Sequence, residues 1–263
     1  MPLRYKVSFS LSRFFLLPLS GEVLWFGKRF RSDNKIGLFL LPGYLAEVSL
    51  LIGNLSISNS SNEKIRVLDV GANVGQFAVT LLNVCPNIEI VSFEPNPVVF
   101  PLLESNSKLY KDSILTVNVG IGADNLTEKL HFVKSKSAQG SIIATNSDKN
   151  LLSAASRVTE VEIPIRKLSK ILNDVYDLTD VSQFNLLKID VEGYEESVLI
   201  GSEGVEFKYL WIELHEDSSL NLNRINTILG AFSIFTSVSP ALNDDSSQIH
   251  FSHNYLFQAC RVE

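Results

Sequence analysis

Apolar residues recur along the chain in two alternating patterns. From residue 66 onward, short continuous apolar runs such as 66–70 are followed by segments such as 74–84, in which apolar residues return every three or four positions. The first pattern predicts a buried β-strand and the second an amphipathic α-helix. A chain that alternates strand and helix in this way is typical of a parallel sheet with right-handed crossover helices.

The same patterns separate a short N-terminal part from a longer, regular part. The predicted strands are 66–70, 89–94, 114–119, 129–134, 158–165, 184–191, 209–214, 232–237 and 254–260, and the predicted helices are 74–84, 97 to about 109, 195–201 and 220–231. Residues 135–156, rich in Ser, Asn, Ala and Gly, predict an insertion loop. About seven strands with interleaved helices predict a doubly wound α/β domain over 63–263, after an N-terminal helical cap or extension at 1–62.

Charge is distributed unevenly between these parts. Residues 1–60 contain seven Lys and Arg against three Asp and Glu, a balance of +4, and the remaining 203 residues contain 16 against 26, a balance of −10. Binding a long polyanion requires a basic face, so the acidic main part argues against nucleic acid as a partner. The two cysteines lie far apart in sequence, which favours a reducing, cytoplasmic location.

The first 35 residues are basic and aromatic and include an apolar run at 14–19. This run is much shorter than the roughly 20 apolar residues that cross a bilayer. We interpret the segment as a cap helix that packs on the domain. The alternative is a peripheral contact with a membrane or a partner protein through residues 1–35.

The most informative stretch is VLDVGANVGQF at 67–77, where a predicted strand ends and a glycine-containing turn starts the next helix. Gly71 permits a sharp turn and the close approach of a ligand, and Gly75 lets the helix start beside the strand. The free N–H groups there carry a partial positive charge. The full GxGxxG pattern is missing, which disfavours a pyrophosphate ligand. A turn without a ligand, in which Asp69 caps backbone N–H groups, is the alternative.

Three further predicted strands deliver acidic residues to the same edge of the sheet. Glu94 ends the second strand, Asp190 follows the run LKI at 187–189, and Glu213 lies near the end of WIELH. Glu94 stands 25 residues after Asp69, where an acid accepts hydrogen bonds from ribose hydroxyls. The carboxyl ends of parallel strands bind ligands, so we predict a nucleoside pocket that does not require phosphate.

Two other classes of protein remain open on these residues. An acid after the second strand also serves nicotinamide cofactors, so a nicotinamide-dependent oxidoreductase is one alternative, although no Tyr-x-x-x-Lys pair is present. The other is a non-catalytic binding or scaffold protein on the same fold, because a fold and a pocket do not establish turnover.

Four stretches together, LDVGANVGQF, SFEPNP, LLKIDVEGYEESVLIG and IELH, resemble the FkbM family of S-adenosylmethionine-dependent methyltransferases. The likeness runs from about residue 66 to about residue 216. It implies the class I methyltransferase fold, a Rossmann-like, mostly parallel seven-stranded sheet in the order 3-2-1-4-5-7-6, with an antiparallel last strand and helices on both faces. It also implies methyl transfer to oxygen, and we expect the acceptor to be a sugar, a glycan, a glycolipid or a related hydroxylated metabolite.

The resemblance also assigns residues to S-adenosyl-L-methionine and its product S-adenosyl-L-homocysteine. The methionine part would be lined by Asp69, Gly71, Asn73 and Gly75, the ribose would be held by Glu94, and Asn96, Gly120 and Gly122 would lie near the adenine.

A hydroxyl acceptor also needs a base that removes its proton. His215 is the first candidate, because its unperturbed pKa of about 6.5 suits that task. Asp190, Glu192 and Glu213 are the other candidates. Carboxylates and a His near one edge also admit a divalent metal that would lower the pKa of a hydroxyl, although no residue is assigned as a metal ligand.

Overall fold

A mostly parallel β-sheet with helices on both faces organises the protein in a computed structural model. The residues that the structure describes are 22–32, 45, 48–49, 51–53, 64–133, 158–175, 184–214, 224, 227–228, 235–238 and 253–259. The predicted insertion loop at 135–156, the candidate base His215 and most of the predicted helix 220–231 lie outside the described residues.

The described elements agree closely with the predicted ones in the main domain. The strands are β1 (Glu22–Trp25), β2 (Lys28–Arg31), β3 (Ile65–Val70), β4 (Ile88–Phe93), β5 (Ile114–Val117), β6 (Gly120–Ile121), β7 (Leu126–Val133), β8 (Val158–Arg166), β9 (Phe184–Ile189), β10 (Phe207–Leu214), β11 (Phe235–Val238) and β12 (His253–Ala259). The helices are α1 (Gln76–Val84), α2 (Phe100–Ser107), α3 (Leu168–Val175) and α4 (Glu195–Gly201), and a 3₁₀ helix covers Lys108–Ser113.

The main sheet has the order β11-β12-β10-β9-β3-β4-β5. Its strands β5, β4, β3, β9 and β10 are parallel, β12 pairs antiparallel with β10, and β11 pairs antiparallel with β12. Starting from β5, the strands therefore follow the chain in the order 3-2-1-4-5-7-6. The mostly parallel sheet predicted from the sequence is confirmed.

The central strands send alternate side chains into one of two cores. On one face, Val67 and Leu186 pack with α1, and on the other, Leu68 and Leu187 pack with α3 and α4. The period-two alternation of a strand assigns neighbouring residues to opposite faces. Both faces of the central strands are thus covered, as in other sheets of parallel strands.

A smaller sheet of β6, β8 and β7 lies beside the main one. The predicted strands 129–134 and 158–165 are confirmed as β7 and β8, which pair antiparallel. Two elements in and next to this sheet were not predicted: β6, which pairs parallel with β8, and α3, which follows β8. The small sheet has its own core around Phe132 and Ile163.

The predicted helical cap is wrong for residues 22–31, which form the β1–β2 hairpin. Val23, Trp25 and Phe30 are buried at strand-like spacing, and Phe26 and Gly27 take left-handed backbone conformations in the turn. Such a two-residue turn matches the twist of paired strands. Farther along, the described residues 45, 48–49 and 51–53 are helical.

The hairpin is attached to the main domain by buried side chains. Trp25 Nε1 donates to Thr80 Oγ1 of α1 at 3.2 Å. Asn106 of α2 accepts from Arg31 N at 2.9 Å and donates from Nδ2 to Arg31 O and Val74 O at 2.8 and 2.7 Å. Asn106 therefore joins the hairpin to the segment that follows β3.

Within the described residues, no helix is long and apolar enough to cross a bilayer.

Candidate active site

A row of polar side chains crosses the sheet on the face that α1 covers. Asp69 on β3 is in register with Ser92 on β4 and Lys188 on β9. All three are buried, and Ser92 Oγ lies 3.4 Å from Asp69 Oδ2. Burial raises the pKa of Asp69, and the Lys188 ammonium is the main influence that opposes this rise.

Lys188 lies at the centre of this row. Its Nζ is 3.1 Å from Asp69 Oδ1 and 3.2 Å from Asp190 Oδ2, and it donates to Gly71 O at 3.4 Å. The sequence reasoning did not identify Lys188. The available sign was a single lysine within the buried apolar run FNLLKI, where an isolated charge is rarely buried without a partner.

The acids predicted at the ends of β9 and β10 lie together. Glu213 donates a hydrogen bond to Asp190, and burial, followed by the Asp190 charge, raises the pKa of Glu213 to about 9. Glu213 therefore holds a proton at neutral pH. Asp190 pairs with Lys188, and its side chain is 19% exposed, so it can reach a ligand at the sheet edge. Of the predicted carboxylate bases, Asp190 has the better placement.

The remaining candidate carboxylate, Glu192, lies in an unusual turn after β9. Glu192 has φ 49° and Gly193 has φ 97°, so two successive residues are left-handed. Gly193 N donates to Glu195 Oε1 at 2.8 Å, which fixes the turn to the start of α4. A non-glycine residue in this conformation stores backbone strain, which is found preferentially at functional sites. The role of Glu192 as a base stays a prediction.

The glycine turn after β3 has the sharp geometry that the sequence predicts. Gly71, Asn73 and Gly75 have φ of 78°, 52° and 90°. A Cβ atom on Gly71 would lie 1.8 Å from Asp190 O, so only glycine fits there. The turn is thereby pressed against the end of β9, and it brings the predicted cofactor residues beside the predicted base.

Glu94 holds the glycine turn from the other side. Its Oε2 accepts from Asn73 N and its Oε1 from Asn96 N, both at 2.8 Å. Burial raises the pKa of Glu94 to about 7, although these hydrogen bonds oppose the rise. Asn96 Oδ1 accepts from Val98 N at 3.0 Å. Both candidate residues after β4 are therefore fixed beside the turn.

One polar atom in the turn has no partner. Asn73 Oδ1 is buried and makes no hydrogen bond within the described residues. Buried polar atoms are normally paired, so an unpaired one at a site calls for a ligand or a water as the missing donor. Asn73 Oδ1 is therefore a candidate ligand contact.

The predicted adenine-side glycines have a packing explanation. A Cβ atom on Gly120 would lie 2.5 Å from Ile165 Cδ1, and one on Gly122 would lie 2.7 Å from Ile165 Cγ2 and 3.0 Å from Tyr194 Cε1. Glycine at these positions lets β8 and α4 approach β6. The contact of Gly120 and Gly122 with an adenine stays a prediction.

The described residues contain no group of three or more His, Cys, Asp and Glu arranged to hold a metal ion. The site is instead built from the glycine turn, Glu94, the Lys188 ion pairs and the carboxyl pair of Asp190 and Glu213. A glycine turn at the end of the first strand and an acid at the end of the second also occur together in doubly wound α/β proteins that bind nucleosides.

The chain belongs to the family described as the methyltransferase FkbM domain, whose sequence pattern matches residues 69–231. It is 28% identical over 145 residues to Methyltransferase 1 of Beauveria bassiana, covering 51% of this chain and 57% of that protein. It is 27% identical over 164 residues to the 31-O-demethyl-FK506 methyltransferase FkbM of Streptomyces tacrolimicus, covering 54% and 60%. The match thus spans about three fifths of these relatives' length.

A third relative is matched over more of its length. The hexuronic acid methyltransferase AglP of Haloferax volcanii is 23% identical over 201 residues, covering 75% of this chain and 74% of that protein. Among solved structures, the magnesium protoporphyrin IX methyltransferase of Synechocystis is 11% identical with a TM-score of 0.48, covering 96% and 92% of the two chains.

Proposed function

We propose that the protein is an S-adenosylmethionine-dependent methyltransferase that methylates a hydroxyl of a sugar, a glycan, a glycolipid or a related metabolite. The observation that carries the proposal is Glu94, a buried carboxylate that follows β4 and accepts N–H groups of both Asn73 and Asn96. Membership of the methyltransferase family supports the same reading.

The residues at the sheet edge fit the nucleoside part of this cofactor. Each Glu94 oxygen accepts one backbone N–H, and a carboxylate has about four acceptor positions, so it can also accept two ribose hydroxyls. The unpaired Asn73 Oδ1 offers an acceptor to the amino group of the methionine part. Gly71 lets the turn lie against Asp190 O, where a side chain would collide.

Asp69 would act on the cofactor only indirectly. Its carboxylate is fully buried and is paired with Lys188, so it faces the protein and not the sheet edge. We infer that Asp69 supports the glycine turn through Lys188, which also donates to Gly71 O. This modifies the direct contact with the methionine part that the family resemblance implies.

When bound, the cofactor would supply an electrophilic methyl group for transfer to the acceptor oxygen. The protein has to orient the acceptor and take its hydroxyl proton. Two observations support Asp190 in this role: its side chain is partly exposed at the sheet edge, and the pKa of its neighbour Glu213 is raised to about 9. We propose Asp190 as the base, with His215 and Glu192 as the alternatives.

The nature of the acceptor rests on the relatives. One is named as a hexuronic acid methyltransferase and another as a 31-O-demethyl-FK506 methyltransferase. Both names fit an acceptor rich in hydroxyl groups. We therefore propose oxygen as the methylated atom and a sugar as the first class of acceptor to test.

The first experiment is a calorimetric titration of the protein with S-adenosylhomocysteine and, separately, with NAD. We expect micromolar binding of the first and none of the second. The Glu94→Ala variant should bind S-adenosylhomocysteine at least about tenfold more weakly, since it loses hydrogen bonds to a charged group. Glu89→Ala is the matched control, because Glu89 lies on the same strand and pairs with Lys64 at the surface.

The outcome separates the three classes of protein. Binding of NAD alone would favour the oxidoreductase. Binding of S-adenosylhomocysteine should be followed by incubation with S-adenosylmethionine and uronic acids or glycans, with S-adenosylhomocysteine release as the readout. Binding without any release would favour the scaffold protein and would contradict the proposed methyl transfer.

A further inference from the structure

Lys188 is the one buried Lys or Arg within the described part of the chain. It stands on the central strand β9, and it bridges carboxylates on both sides of the candidate site. Asp69 belongs to the first strand of the domain, and Asp190 belongs to the end of β9. Burial of an ammonium with two carboxylates costs desolvation free energy, because each charge loses its hydration.

We propose that Lys188 is a positioning residue that fixes the Asp190 carboxylate at the sheet edge through an ion pair and joins it to the cofactor turn. This inference rests on the proposed methyl transfer and adds Lys188 to the residues that would serve it. Lys188 acts through Asp190 and does not itself touch the acceptor.

The geometry supports this role in two ways. Lys188 and Asp190 are two residues apart, so their side chains leave the backbone on the same side, and Nζ meets Oδ2 at 3.2 Å. Nζ also donates to Gly71 O, while a Cβ atom on Gly71 would collide with Asp190 O. One ammonium therefore connects the turn that faces the cofactor with the carboxylate that faces the acceptor.

The charges around Lys188 show why a cation is needed there. The carboxyl groups that interact with Lys188 come from β3, the end of β4, the end of β9 and β10; they are Asp69, Glu94, Asp190 and Glu213. Glu192, in the turn after β9, acts on Glu213. From α1 it meets the Phe77 ring, 5.4 Å from Nζ. Lys188 lowers the pKa of Asp69, Glu94 and Glu213. Without it, these acids would retain protons to higher pH.

Asp190 and Glu213 share a hydrogen bond, so their protons leave as those of a pair. Burial and the Asp190 charge raise the pKa of Glu213 to about 9, and Lys188 opposes this rise. Removal of the cation should make the pair take up its second proton at a higher pH. A fully protonated pair cannot accept the proton of the acceptor hydroxyl.

The test compares four proteins by ¹³C NMR of the Asp carboxyl carbons over a pH titration. They are the wild type, Lys188→Arg, Lys188→Met and the double variant Lys188→Met with Asp69→Asn. The double variant removes one positive and one negative charge together, so it stays foldable if Lys188→Met alone does not. Asp190→Asn assigns the Asp190 signal, and Lys64→Met serves as control, because Lys64 is an exposed lysine.

We expect the pH at which the pair takes up its second proton to rise by about one unit or more in Lys188→Met and in the double variant. Lys188→Arg should restore most of this shift, and Lys64→Met should cause none. In turnover assays the acid limb of the kcat profile should move to higher pH by the same amount, while the acceptor KM changes by less than about threefold. A purely structural lysine would lower stability and leave the titration of the pair unmoved.

Titration of the same samples with S-adenosylhomocysteine distinguishes a failure of the proposed function from a failure of the role of Lys188. A wild type that does not bind it overturns the proposed function, and with it the methyl-transfer role of Lys188. Binding in the wild type together with an unmoved titration of the pair in the double variant overturns the role of Lys188 alone.

Discussion

Two adjacent rows of residues cross the same four strands and differ completely in chemistry. One row is Val91, Leu68, Leu187 and Leu210, and the next is Ser92, Asp69, Lys188 and Trp211. The first faces α3 and α4, and the second faces α1. Both rows are buried, so burial does not explain the difference. The apolar row contains the kind of residue that packing of this sheet requires. The second row contains charged side chains that packing does not require, and their burial costs desolvation free energy.

The largest effect on activity should come from Asp190, which lies where the polar row reaches the sheet edge. Asp190→Asn removes the proposed base and should lower kcat by about 10²–10⁴, the usual contribution of a general base. Binding of S-adenosylhomocysteine should change little. The measurement is S-adenosylhomocysteine release at saturating substrate. Glu196→Gln is the control, because Glu196 pairs with Arg224 on the surface; undiminished release by Asp190→Asn would assign the base elsewhere.

Substitutions of neighbouring residues on the two rows should lower the free energy of unfolding with a different dependence on pH. Leu187→Ala leaves a cavity and should cost about 2–5 kcal/mol of unfolding free energy at any pH. Lys188→Met leaves buried carboxylates without their cation and should cost about 3–5 kcal/mol. The pKa values of these carboxyl groups in the folded protein rise when Lys188 is absent. The stability of the Lys188→Met variant is therefore greatest at low pH and falls as the pH rises through those folded-state pKa values. Urea unfolding at pH 6 and pH 8 checks this, and equal pH dependence of the two variants would erase the distinction between the rows.

The glycine turn after β3, at the end of the polar row, should be sensitive to the addition of a single methyl group. Gly71 and Gly27 both have φ 78°, but a Cβ atom on Gly27 meets nothing within 4 Å. Gly27→Ala should therefore cost only the backbone strain, about 1–2 kcal/mol. Gly71→Ala should in addition displace the turn from Asp190 and weaken S-adenosylhomocysteine binding by more than about tenfold. Calorimetry of both variants decides the matter, and equal affinities would show that the turn does not touch the ligand.

The smallest predicted effect is a pH dependence of binding that the apolar row cannot produce. Burial raises the pKa of Glu94 to about 7, so its proton is held below that pH and competes with the ribose hydroxyls for the carboxylate. S-adenosylhomocysteine affinity should thus be full at pH 8 and about tenfold lower at pH 6. Glu94→Gln should bind weakly with a flat profile, and a wild-type profile that is equally flat would remove Glu94 from the ribose.

The sheet and most of the candidate site could be predicted because they depend on local patterns. Short continuous apolar runs predict the strands, and the carboxyl ends of parallel strands meet at one edge of the sheet. Glu94, Asp190 and Glu213 could therefore be placed at one edge from sequence. The helix α3 could have been found as well, since Leu168, Ile171 and Leu172 have helical spacing.

Other features depend on neighbours that the sequence does not show. A lysine within an apolar run has no identifiable partner until β3 and β9 are placed side by side in register. Gly120 and Gly122 look like ligand contacts in a motif, yet the atoms that exclude a side chain there are those of Ile165 and Tyr194. The hairpin was taken for a helix, because basic and apolar residues are interspersed in both.

Asn106 has a consequence for what counts as the folding unit. The family match starts at residue 69, and the sequence pattern placed a boundary near residue 62, so the hairpin at 22–31 looks like an appendage. Yet one amide side chain holds Arg31 and Val74 at once. Fluctuations that open the hairpin must therefore loosen the segment between Gly71 and Gly75, so that the two are expected to exchange their amide hydrogens as one cooperative unit.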